Sequence, residues 1–244
     1  MSTSQPFRAP FPGPFRGVIF DLDGTLLDSL ADLGGCMNRV LERSQLPVHP
    51  IESYRAFIGD GMKNLVSRAL PDTHREPSFV EARYQEMHAE YLTHWADQTA
   101  PYPGIPELLG QLEHRGFYLA VLSNKPEDFT PQIVRRFFPN VAFRLTLGAG
   151  FDVPRKPDPA GALRIIRESG IPAEAFLYLG DSGTDMETAN RAGVLAIGVL
   201  WGFRDAGELK STGAKHLIKS PEELLTILDN HRGNPGTTLL KGKN

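Results

Sequence analysis

Four short apolar runs, each closing in a polar or glycine-containing cluster, constrain this chain most: Val18-Ile19-Phe20, Tyr118-Leu119-Ala120-Val121-Leu122, Phe176-Leu177-Tyr178-Leu179 and Leu195-Ala196-Ile197-Gly198-Val199. Runs that are apolar throughout, rather than alternating, suit strands covered on both faces, as in a parallel sheet. Helical patterns separate them, over Ile105 to Arg115, Pro131 to Phe138, Pro159 to Glu168 and Asp185 to Ala192. Strand alternating with helix predicts an α/β fold, a doubly wound parallel sheet with right-handed crossovers. From about Leu30 to Thr99 the alternation stops, and only helical patterns appear, broken by Pro47, Pro50, Gly59-Asp60-Gly61, Pro71 and Pro77. Seventy residues are too many for a loop. The expected organisation is an α/β core from residues 1–29 and 101–244, with a helical domain inserted at 30–100.

Where that sheet would end, the polar residues gather. Asp21 and Asp23 follow the first run, Ser123-Asn124-Lys125 follow the second, and Gly180-Asp181 follow the third with Asp185 beyond. Lys156 lies in Pro154-Arg155-Lys156-Pro157-Asp158, ahead of a helix. Open α/β sheets bind ligands at the carboxyl ends of their strands. Singly, these residues have ordinary explanations: an Asp after a strand caps a helix, Ser and Asn make turns, and a lysine is a solvated charge. Together, in workable chain order, they point to chemistry. Several carboxylates at one edge would resist ionisation unless a cation compensated them. All-oxygen ligation with no His or Cys suits a hard ion such as Mg2+. A metal, a lysine and hydroxyl or amide donors can neutralise a transferring phosphoryl group. Asp21 is then the nucleophile, and Asp23 the group that donates a proton to the leaving oxygen and later takes one from water. The carbonyl of Asp23 is a further metal ligand.

These residues resemble the haloacid dehalogenase-like hydrolase superfamily, whose first motif is an aspartate nucleophile in a DxDGT segment. Here that segment is Asp21-Leu22-Asp23-Gly24-Thr25, with Ser123, Lys156 and Gly180-Asp181-Ser182-Gly183-Thr184-Asp185 resembling the three later motifs. The resemblance implies Asp21, Asp23 and Lys156 as catalytic residues, with Lys156 bridging phosphate and nucleophile. It implies Ser123 and Asn124 as phosphate donors, beside Gly24 and Thr25. Asp21, Asp23, Asp181 and Asp185 would hold magnesium. Dehalogenases of the superfamily lack the second aspartate, because a halide leaves without a proton, so Asp23 argues for phosphate monoester hydrolysis.

The insert resembles the cap that closes over the site in one branch of the superfamily. Phe57-Ile58-Gly59-Asp60-Gly61, Leu65, Arg68-Ala69-Leu70 and Thr99-Ala100-Pro101-Tyr102-Pro103-Gly104 resemble phosphoglycolate phosphatases, with Gly193 and Trp201-Gly202 fitting as well. Gly61, Lys63 and Arg68 are the candidates for holding the substrate, the two cations for a carboxylate. Sugar phosphomutases, pyrophosphatases and nucleotidases share the core motifs. A phosphoacceptor signalling module would lack Asp23 and the insert.

Composition agrees with a small-molecule partner, which the resemblance implies is a small phosphorylated metabolite. The 244 residues are 41% hydrophobic and 23% charged with a net charge of -3, which offers no positive field for nucleic acid or an anionic membrane. No window reaches the roughly 18 consecutive apolar residues of a membrane span. Cys36 is the single cysteine, so no internal disulfide can form and a cytoplasmic setting is expected, as monomer or homodimer. Beside Met37 and Val40 it reads as a core filler. His74, His88, His94 and His114 have no ligand-like grouping. The first sixteen residues, with Phe7, Phe11 and Phe15 among four prolines, are expected to form a loose arm, and the stretch from about Arg232 a frayed tail.

Overall fold

The computed structural model describes residues 13–231. The arm up to residue 12 and the tail from Arg232 lie outside the described residues. The arm's expected last stretch is not loose: Phe15 is buried and its ring meets His231 edge-on at 5.4 Å.

Six parallel strands form the central sheet. They are β1 (Gly17–Phe20), β4 (Tyr118–Pro126), β5 (Leu145–Ala149), β6 (Phe176–Gly180), β7 (Leu195–Val199) and β8 (His216–Ile218), in spatial order β5-β4-β1-β6-β7-β8. Two of these go beyond the four runs. Leu145-Thr146-Leu147-Gly148-Ala149 is diluted by Thr and Gly, and β8 spans three residues at the sheet's edge, so neither makes an apolar run. Both faces of the sheet are covered, which is why the inner strands carry no polar alternation. Val18, Phe20, Leu177 and Leu179 belong to one apolar core, while Ile19, Phe176 and Tyr178 belong to the other. Helices α4 (Ile105–His114), α5 (Thr130–Phe137), α6 (Ala160–Ser169), α7 (Gly183–Arg191), α8 (Ala206–Ser211) and α9 (Glu222–Asn230) connect the strands or follow them. Among the described residues, no helix is long and apolar enough to cross a membrane.

After β1 the chain makes a tight turn, with the amides of Leu26 and Leu27 donating to Leu22 O at 3.0 and 2.9 Å. A two-residue strand β2 (Leu27–Asp28) then pairs antiparallel with β3 (Ala100–Pro101). Between these two strands in the chain lie α1 (Leu30–Arg43), α2 (Met62–Ala69) and α3 (Pro77–His94), with α1 and α2 both packed on α3. Cys36 is fully buried on α1, and burial pushes its thiol up to about 12, as befits a packing residue.

The chain order places β1 at the switch point: the strands run outward through β4 and β5 on one side, and through β6, β7 and β8 on the other. The crevice beside the β1 carboxyl end is where such sheets bind ligands. The root of the helical segment is tied at one buried residue. Asp32 accepts from the amides of Gln98 (3.0 Å) and Thr99 (2.8 Å) and from the Thr99 hydroxyl (2.6 Å). Removing that acceptor strands buried donors at a cost of about 1–3 kcal/mol. Asp32→Ala is therefore expected to lower the thermal unfolding midpoint by several degrees, about 2–4 °C per kcal/mol for a chain of this size, as followed by circular dichroism.

Candidate active site

Asp21 leaves β1 with its amide bonded to Leu179 O at 2.9 Å, so the sheet itself aims the residue at the crevice. The ammonium of Lys156, almost fully buried, donates to Asp21 Oδ1 and to Asp185 Oδ1, both at 2.6 Å. Asp185 is held in turn from three sides. The amide and hydroxyl of Ser182 donate to its Oδ2 at 3.1 and 2.5 Å, and the hydroxyl of Tyr178 donates to Oδ1 at 3.2 Å. Ser182 and Asp185 form the capping box that starts α7. The ordinary reading of an Asp beyond a strand, as a helix cap, is thus true of Asp185, and it also anchors the lysine.

Asp181 completes the group. It accepts from the Phe203 amide at 2.7 Å and from the Thr25 hydroxyl at 3.3 Å, and Trp201 Nε1 braces Thr25 by donating to its carbonyl at 3.0 Å. Gly24 has φ +86°, and a Cβ there would sit 2.2 Å from Asp181 Oδ2. Glycine at that position is therefore a requirement of packing against Asp181 as much as of the turn. Gly24 and Thr25 consequently act on Asp181 and are not among the residues lining the pocket.

The charges do not balance. Asp21, Asp181 and Asp185 each offer an oxygen within 4.8 Å of the others, and all three are buried. One ammonium faces three carboxylates. Burial first, then Asp185, raises the Asp21 carboxyl well above its usual range against the pull of Lys156. Burial and Asp185 push Asp181 up to about 7. Burial draws the Lys156 ammonium down, but Asp185 and Asp21 more than reverse this and hold it well above its usual value. A buried all-oxygen cluster left with surplus negative charge fits a hard divalent cation.

Asp23 points elsewhere. Its carboxylate accepts from Ser29 Oγ at 2.6 Å and pairs with Lys125 Nζ at 3.1 Å. It is not one of the three clustered carboxylates, so a metal role for Asp23 would fall to its main-chain oxygen. Lys125 was not among the expected site residues. Its buried ammonium also donates to Tyr91 Oη on α3 at 2.9 Å and lies 4.5 Å from that ring's centre. The signal for it was its place directly after Ser123-Asn124 at the end of an apolar run. Nothing local could have marked Tyr91, 34 residues away.

Asp21, Asp23, Ser123, Asn124 and Lys125 line one cavity, closed from the helical side by Gly61 and Met62. The Ser123 hydroxyl accepts from the Lys125 amide at 3.1 Å. Asn124 spends its side chain otherwise: it donates to Gly59 O (3.0 Å) and Lys156 O (3.2 Å) and accepts from the Lys156 amide (2.7 Å). This side chain, expected to bind phosphate, joins the helical segment, the Lys156 loop and β4 at the cavity wall. Lys63 and Arg68 are both absent from the cavity lining. Lys63 pairs with Glu81 at 2.5 Å, and Arg68 with Asp60 and the Phe57 carbonyl.

The description "haloacid dehalogenase-like hydrolase" belongs to the family model that matches residues 18–199. The chain belongs to that family. It is 35% identical over 85% of its length to the phosphoglycolate phosphatase of Pseudomonas savastanoi pv. phaseolicola, covering 78% of that protein. It is 32% identical over 88% of its length to that of Aquifex aeolicus, covering 98% of it. A crystal structure from Lactobacillus delbrueckii subsp. bulgaricus, named as a candidate phosphoglycolate phosphatase, superposes with a TM-score of 0.83 at 29% identity over 88% of this chain and 98% of that one.

A carboxyl raised to about 7 must lose its proton before it can hold a cation, so protons and metal compete below that pH. Apparent Mg2+ affinity, measured by isothermal titration calorimetry, is expected to be at least about tenfold weaker at pH 6 than at pH 8, with proton release on binding. An affinity that does not change between the two would show that Asp181 is not a raised carboxyl that loses its proton to hold the ion.

Proposed function

We propose that this phosphatase hydrolyses small phosphate monoesters of the 2-phosphoglycolate kind, with Mg2+ as cofactor, through an acyl phosphate on Asp21. The observation that carries the reading is the Lys156 ammonium, 2.6 Å from both Asp21 and Asp185 at the carboxyl edge of the sheet. It holds a carboxylate nucleophile and a phosphate-binding charge in one place. Asp21 Oδ attacks phosphorus as the bond to the leaving oxygen breaks, and Asp23 gives that oxygen its proton. Asp23 then takes a proton from water, whose oxygen attacks phosphorus while the bond to Asp21 breaks, and inorganic phosphate leaves. Ser123 and Lys156 supply donors to the phosphoryl oxygens. When bound, Mg2+ would be held by Asp21 and Asp181, with Asp185 directly or through water and the Asp23 carbonyl, and would neutralise phosphoryl charge.

The reading of residues 30–100 as a cap that sets substrate choice is supported by the cavity, which is bounded on one side by Ile58, Gly61, Met62 and Leu65. The names of the relatives support 2-phosphoglycolate. The single cysteine supports a cytoplasmic setting.

Phosphate release from 2-phosphoglycolate, pyrophosphate, sugar phosphates and nucleotides, with and without Mg2+, tests the proposal directly. Asp21→Asn is expected to lose several orders of magnitude in kcat, because the covalent path disappears, and a chelator is expected to abolish turnover of the native enzyme. Retention of activity in either arm would refute the mechanism. Lys125 and Asp23 make a separate prediction. Lys125→Met lets the Asp23 carboxylate swing, so kcat should fall more for alkyl esters, whose leaving oxygen needs the proton, than the initial burst falls for p-nitrophenyl phosphate. Equal losses in the two measurements would remove Lys125 from that role.

A further inference from the structure

The basic side chains flanking the cavity are occupied, with one exception. Lys63 is on Glu81 and Arg68 on Asp60. Arg55 donates to Glu52 and to Gly202 O, and Arg204 to the carbonyls of Arg55 and Ile58. Lys125 and Lys156 serve the aspartates. The Arg155 guanidinium carries no hydrogen bond and no ion pair among the described residues, its carbonyl alone accepting, from the Asp158 amide at 3.0 Å.

A lone exposed arginine is ordinarily a solvated charge; the position of this one sets it apart. It immediately precedes Lys156 and reaches across the seam between sheet and helical segment. A Cβ placed on Gly61 would lie 3.2 Å from Arg155 Nε and 3.3 Å from Asn124 O, with φ +89° already excluding most side chains. Gly61, expected to face the substrate, is thus where the guanidinium crosses. Arg155 also lines a second cavity with Tyr84, and that cavity shares Met62, Asn124 and Pro126 with the catalytic one. The inner cavity holds four aspartates and two lysines, counting Asp181, Asp185 and Lys156 behind its wall. A substrate with a second negative group would be repelled there unless a free cation waited further out. A guanidinium without a protein partner offers a forked donor that fits a carboxylate in bidentate fashion.

Resting on the monoester reading above, we infer that Arg155 reads the far end of the substrate. It pairs with a carboxylate one or two carbons from the phosphate-bearing oxygen, and so selects short phosphorylated hydroxy acids over phosphorylated neutral alcohols.

The test compares 2-phosphoglycolate with 2-hydroxyethyl phosphate, which has the same chain length but a neutral end, in the native enzyme, Arg155→Gln and Arg155→Lys. A charge-assisted pair predicts that native kcat/KM favours the acid by about 10–100-fold. Arg155→Gln should bring that ratio close to one through the KM of the acid, and Arg155→Lys should fall between, keeping charge but losing the fork. A merely structural role would move both esters together. A native enzyme that does not discriminate, or an Arg155→Gln ratio equal to the native one, overturns the inference while leaving the monoesterase reading intact. Release of phosphate from neither ester by the native enzyme would instead overturn the monoesterase reading, and the inference with it.

Discussion

A buried ammonium shared by two carboxylates organises this molecule. Taking Lys156 out of water is costly, and Asp21 and Asp185, each at 2.6 Å, offset that cost only because both are themselves held in place. Asp185 is held by the first turn of α7 through its capping box with Ser182. Asp21 is held by the β1 backbone. Helix start, strand end and loop are therefore locked to one point, and the geometry of each depends on the others.

The same cluster is left over-charged, and that surplus fits the chemistry proposed for it. With Asp181 added, three carboxylates face one lysine, and Asp21 and Asp181 are pushed up by burial and by Asp185. A fold that simply needed stability would gain by removing such a cluster. The cluster, braced by Thr25, Trp201 and the amide of Phe203, makes sense where a cation brings the missing positive charge.

A second set of contacts ties the helical segment to the sheet at the rim. Asn124 grips the Gly59 carbonyl, Arg204 grips two carbonyls of the segment, and Lys125 meets Tyr91 beside Asp23. These bonds end on residues that line or border the catalytic cavity. The position of the helices and the shape of the site are accordingly one structural question.

The sequence by itself determined the parallel α/β architecture, the helical interruption and the core aspartates and lysine. These are written in local signals: uninterrupted apolar runs for strands buried on both faces, and polar residues massed where such runs stop. It was silent on β5 and β8, where Thr, Gly or brevity erased the pattern. Only the tertiary structure decided which charges are free. Lys63 and Arg68 look available in the chain but are neutralised by Glu81 and Asp60, while Lys125 gains its place from Tyr91 and Asp23, far away in sequence. Gly24 and Thr25 turned out to shape Asp181, and Asn124 to join two segments. The physical reason is common to all: whether a polar group serves a ligand or the protein depends on what partner comes within about 3 Å of it, and folding brings most of those partners from distant parts of the chain.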